Sequence, residues 1–150
     1  MPLPAERESP VSSQRPRVLI LSPFEQSILE RLCGRFEVVY ESWMEKRELA
    51  DPEELGARLR DEGFQALVVE ADFVVEETFD LADVLRFVGV CRNEPYNVDI
   101  DAATNAGVVV VNTPGRNAVA VAELAVAQMF NLARRIVNSY LPDAHIIVLG

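Results

Sequence analysis

An open, doubly wound parallel α/β sheet is the fold class this sequence predicts, and two observations carry it. From Arg17 onward short β-rich runs alternate with helical stretches, and the third to fifth of those runs are apolar almost without break, as parallel strands covered by helices on both faces are. Right-handed crossovers leave few topologies for such an alternation, and the strand order 2-1-3-4-5 leads them.

The elements follow in order. "RVLILS" (17–22) is a first strand closed by Ser22-Pro23, and "FEQSILERLCG" spaces Phe24, Ile28, Leu29 and Leu32 on one helical face before Gly34. "FEVVY" is a second strand. In "DPEELGARLRDEG" Asp51 stands as N-cap, Pro52 at the first helical position and Glu53 and Glu54 at the positive end of the helix dipole, with Gly63 as the stop. "QALVVE", "LRFVGVC" and "GVVVVN" are strands three to five, and between the last two Asp99 or Asn97 caps a short helix that stops at Gly107. In such sheets ligands bind beyond the carboxyl ends of the strands, which marks "SPFE", "EADF", "RNEP" and "NTPGRN". The helix after "NTPGRN" is apolar on nearly every side: from Ala118 to Gln128 only Glu123 interrupts it.

Composition narrows the function classes. A chain of 150 residues with 49% hydrophobic content can bury a core without disulfides or metal. Twenty-four acidic residues against fourteen basic ones give a net charge of −10, which disfavours nucleic acid and anionic membrane surfaces as partners. Cys33 and Cys91 lie far apart with no metal-ligand spacing, as in a reducing compartment. The first sixteen residues lack the apolar core of a signal peptide, so the expectation is a cytoplasmic chain with a disordered tail at 1–16, one domain at 17–138 and a short tail at 139–150.

The run "LRFVGVCRNEPYNVDIDAATNAGVVVVNTPGRNAVAVAELAVAQMFNLAR" (85–134) resembles the substrate domain of the D-isomer-specific 2-hydroxyacid dehydrogenases, which include phosphoglycerate, glycerate and formate dehydrogenases. The likeness is specific in "NVDIDAATNAGVVVVNTPGRNAVAVAE" and weaker back to "RVLILS". It implies a flavodoxin-like domain of five strands, whose long helix after the fifth packs against its own sheet and against a cofactor domain or a partner subunit. It also implies use of NAD(H) and of a small 2-oxo or 2-hydroxy acid.

Residues carried over by the resemblance begin in the loop after strand four. Relatives carry glycines there, whose backbone amides hold the substrate carboxylate; here the loop is Arg92, Asn93 and Glu94. Glu94 places a negative charge near an anionic substrate, and Arg92 offsets it by pairing with a carboxylate. Asn117 matches a substrate-contacting asparagine and also stands where a helix N-cap would. Ala71 and Asp72, after strand three, align loosely with the other substrate-side loop. Glu123, Val126 and Phe130 lie on the long helix, at an interdomain or dimer surface.

No residue here matches the family's catalytic arginine, glutamate and histidine, which belong to its dinucleotide-binding domain. None of the seven glycines forms GxGxxG, and the single histidine, His145, sits in "HIIVLG", which reads as a strand or as the truncated start of a cofactor domain. A receiver function lacks its phosphorylatable aspartate at the end of strand three, and flavin binding lacks a phosphate nest in "SPFEQS". Two functions therefore stand: the substrate-binding half of an NAD-dependent D-2-hydroxyacid dehydrogenase, inactive until a cofactor domain joins it, or a noncatalytic module that dimerises through the long helix or binds a carboxylate.

Overall fold

The computed structural model describes residues 15–136; most of the N-terminal tail, the 139–150 segment and His145 lie outside the described residues. The described residues fall into two compact units that part between Pro114 and Gly115.

In the first unit five parallel strands stand in the order β2-β1-β3-β4-β5: β1 (Arg17–Ile20), β2 (Glu37–Tyr40), β3 (Ala66–Val69), β4 (Phe87–Val90) and β5 (Val109–Asn112). That is the expected order. The helices of this unit are α1 (Gln26–Cys33), α2 (Trp43–Lys46), α3 (Pro52–Asp61), α4 (Glu76–Leu81) and α5 (Ile100–Asn105), and the second unit carries α6 (Ala118–Arg134).

Strand alternation sends side chains to two unequal cores. Leu19, Leu67, Val69, Val88 and Val90 face the larger one, where α3, α4 and α5 contribute Leu55, Leu59, Phe79 and Ala103, and Phe64 fills its centre at 0% exposure. On the opposite face Val18, Ile20 and Leu29 make a smaller cluster under α1. Within this unit the second face is only partly covered. Phe87, Val109 and Val111 are 37%, 59% and 48% exposed, because α1 packs against β2 at the far edge and no described helix of this unit covers β4 and β5 on that face.

Local rules set the helix ends. Asp51 caps α3 by accepting from the amides of Glu53 and Glu54, with Pro52 next to it as expected. Asp99, not Asn97, caps α5, accepting from Ala102 N at 2.9 Å. Asn97 is buried instead and donates from Nδ2 to the carbonyl of Asp72 at 2.7 Å. The helices α2 and α4 have no counterpart in the sequence expectation: each is only one to two turns long, too short to display a hydrophobic period.

Helices α3 and α4 pack so closely that a side chain at Gly56 has no room. A Cβ there would lie 2.8 Å from the Thr78 carbonyl oxygen and 3.0 Å from Leu81 Cβ, and Thr78 Oγ1 secures the crossing by donating to the Pro52 carbonyl at 3.0 Å. Replacing a helical glycine by alanine ordinarily stabilises by about 1 kcal/mol. Here Gly56→Ala is expected to destabilise by about 1–3 kcal/mol through overpacking against backbone, seen as a lower denaturant midpoint at unchanged slope.

Candidate functional site

The loops at the carboxyl ends of the strands carry the first-unit residues that the sequence singles out. After β4 the chain runs through Cys91, which is buried, into Arg92, Asn93 and Glu94, which are exposed. The Arg92 carbonyl accepts from Thr113 N at 3.0 Å and the Asn93 carbonyl accepts from Asn112 Nδ2 at 2.5 Å, so the segment leaving β5 braces this loop. Asn93 Nδ2 also donates to Glu94 Oε1 at 3.3 Å. Among the described residues Arg92 takes part in no ion pair, while Tyr96 beside it is 85% exposed. No residue from Arg92 to Tyr96 has a positive φ, so this loop lacks the alternation of right- and left-handed residues that aims successive amides at one anion.

After β3, Ala71 is partly exposed and Asp72 is buried at 1% exposure. Asp72 Oδ1 accepts from Ala50 N at 3.0 Å, in the connection that leads to α3, and Val74 makes a parallel bridge with Val98 beyond β4. One residue therefore ties three connections. In the second unit Asn117 occupies the N-cap position of α6, but its side chain makes no capping bond, and its φ of −113° and ψ of 10° are not those of the extended capping geometry. Glu123, Val126 and Phe130 are exposed along α6, with Val126 at 49% and Phe130 at 61%. The first-unit residues Ala71, Asp72, Arg92, Asn93 and Glu94 thus share the carboxyl-end side of the sheet.

A second polar group, which the sequence does not point to, lines a cleft of about 450 Å³ beyond β1, β2 and β3. Its anchor is a fork: Arg58 Nη1 and Nη2 reach Glu41 Oε2 and Oε1, both at 2.7 Å, while Arg58 Nε meets Glu62 Oε1 at 2.7 Å and Lys46 Nζ adds a contact to Glu41 at 2.5 Å. The hydrogen bonds from Arg58 hold the Glu41 carboxyl down at about 2, against the smaller opposing effect of burial, with Lys46 helping. The same bond, with help from Glu62, raises the Arg58 guanidinium above its ordinary value. Sequence reading misses this group because Glu41 and Arg58 lie on different elements, 17 residues apart, with no local pattern to join them. No described helix is long and apolar enough to cross a membrane.

Comparison with known proteins agrees with this architecture. Residues 18–141 match the family model described as the D-isomer specific 2-hydroxyacid dehydrogenase catalytic domain. A putative 2-hydroxyacid dehydrogenase of Bacillus subtilis is 38% identical over 120 residues, 78% of this chain and 34% of that protein. A glyoxylate reductase of Thermococcus kodakarensis is 34% identical over 126 residues, 83% of this chain and 36% of its own. Among solved structures, a Thermus thermophilus protein superposes with a TM-score of 0.69 at 29% identity, covering 89% of this chain and 42% of that one. The chain spans about a third of the length of these two curated relatives.

The Glu41 fork has a pH signature. Because its folded value lies below its ordinary value of 4.5, the stabilisation is complete above that value and is lost as pH falls toward about 2. Unfolding midpoints measured from pH 7 to pH 2 should fall in the acid part of that range, and Glu41→Gln should flatten the dependence. At pH 7 that variant should cost about 1–2 kcal/mol, between the exposed and fully buried limits for an ion pair.

Proposed function

We propose that this chain, which belongs to the D-isomer specific 2-hydroxyacid dehydrogenase family, is the part of such an enzyme that binds the 2-oxo or 2-hydroxy acid. The observation that carries the reading is the exposed Arg92–Glu94 loop at the carboxyl end of β4, on a domain that matches the family over most of its length. Arg92 supplies a planar pair of donors suited to a carboxylate, Asn93 supplies an amide, and Ala71 and the backbone of Asp72 form the neighbouring loop. Asn117 is the further polar contact that the family resemblance assigns. Glu94 opposes a second negative charge, which favours a monocarboxylate over a substrate bearing an additional anionic group close to the first.

The family interconverts such acids with NAD(H). The described residues of this chain do not fit a dinucleotide. The turn from β1 to α1 runs Leu21 to Glu25 without a glycine, and Glu25, an acidic residue, stands at the N-cap of α1 where a pyrophosphate would have to approach. In this reading the cofactor site lies on another domain or chain, and the residues here bind and orient the acid.

A second reading has its own observation. Apolar side chains are exposed along α6, among them Val119 at 72%, Leu124 at 60%, Met129 at 67% and Phe130 at 61%, far more than a helix left in water ordinarily presents. A homodimer, or a separate cofactor domain, is the partner this helix would take, whether or not the acid binds.

Two measurements test these readings. Titration of the full chain with glyoxylate or pyruvate in a calorimeter should give saturable binding that Arg92→Ala weakens about tenfold or more, equal to about 1.4 kcal/mol, while Glu94→Gln strengthens it. Isotherms that ignore both variants would remove the loop from the substrate site. Light scattering should give a mass above that of one chain, with Val126→Asp shifting it to the single-chain value because a carboxylate cannot be left unpaired in an apolar contact. An unchanged mass for the variant would count against α6 as the contact.

A further inference from the structure

We propose that the cleft beyond β1, β2 and β3 is a second ligand site, one that takes a small organic ammonium ion. It sits at the carboxyl ends of the two strands between which the order of the sheet reverses, where open α/β sheets place their ligands, and its volume of about 450 Å³ suits a small molecule.

The charge around the cleft is unbalanced in one direction. Five carboxylates line it, Glu41, Glu48, Asp51, Glu54 and Asp72, against the two cations Lys46 and Arg58. Both cations are already engaged by Glu41, and Arg58 by Glu62 as well. Asp51 is committed to the amides at the start of α3. Glu48 and Glu54 remain at the mouth, both exposed.

Asp72 is the independent observation. It is 1% exposed and lines the cleft; its Oδ1 is met by Ala50 N, and its Oδ2 has no hydrogen-bond partner. A buried carboxylate oxygen without a donor is unfavourable, and an incoming N–H group relieves it. An ammonium brings three donors and a positive charge and so answers both Asp72 and the pair at the mouth. The remaining walls choose between cations. Leu21, Leu49, Leu55 and Trp43 present apolar surface to the same space, which gives an alkyl chain a place to lie and gives a bare metal ion nothing. The side chains that make this cleft are separate from Arg92 and need no cofactor.

The test is calorimetric titration of the full chain with n-butylammonium chloride at constant ionic strength, with sodium butyrate, n-butanol and magnesium chloride as parallel probes. Saturable one-to-one binding of butylammonium that Arg92→Ala leaves unchanged is expected, with no response to butanol and none to butyrate once Arg92 is replaced by alanine. Glu48→Gln combined with Glu54→Gln should weaken it at least fivefold, and Asp72→Asn at least tenfold. Since Asp72→Asn also loosens a tie between loops, the exposed double variant decides alone if that protein does not fold. The proposal is overturned if butylammonium gives no more heat than sodium chloride, if the double variant binds it as tightly as the parent, or if magnesium saturates the site and butylammonium does not. Binding of glyoxylate and its loss in Arg92→Ala do not depend on this result, so the two readings fail separately.

Discussion

A carboxylate taken out of water must be met by donors, and Asp72 shows how much of this domain is arranged around that need. Its Oδ1 draws in the amide of Ala50, its carbonyl takes the Nδ2 of the buried Asn97, and Asn97 in turn accepts from Val74 N at 2.9 Å. The connections that follow β3 and β4, and the one that enters α3, are thereby held together at the carboxyl edge of the sheet. The Arg92–Glu94 loop and Ala71 stand next to these connections in the chain. Loops are ordinarily the mobile part of such a fold, and here the polar ties make them continuous with the core.

The same edge divides electrostatically. On the β4 side exposed Arg92 is followed two residues on by Glu94, while in the cleft beyond β1, β2 and β3 both lining cations are paired and carboxylates predominate. The two parts of this sheet edge thus differ in charge. An overall charge of −10 does not reveal this, because net charge sums over a surface on which position decides what binds.

Much of the fold was legible in the sequence because the signals were local. The strand order followed from alternating β and α segments, and Asp51 was legible as a cap from its own neighbours Pro52, Glu53 and Glu54. What escaped was either too short or not local. A single turn such as α2 has no period to detect, and nothing beside Glu41 in the chain announces Arg58. Asn97 and Asp99 competed for one cap, and burial decided: the amide met a carbonyl in the interior while the carboxylate stayed at the surface. β5 is written apolar on both faces, and of its valines Val110 packs against the larger core. Of the candidate site, resemblance located the loop after β4, but the missing positive φ values and the burial of Asp72 needed coordinates.

The position of β1 has a consequence for how the chain acquires this fold. The first described strand is an interior strand, paired with β2 nearby in sequence but also with β3 at Leu19↔Leu67. A chain emerging from synthesis can close the β1–β2 pair early, yet one edge of β1 stays open until β3 exists, and β4 and β5 can only then be added outward in turn. Such long-range parallel pairing slows folding, because long loops must close before the contacts form. The compact contact between α3 and α4, which lies within a short stretch of chain, is then the natural place for a nucleus to form ahead of the sheet it supports.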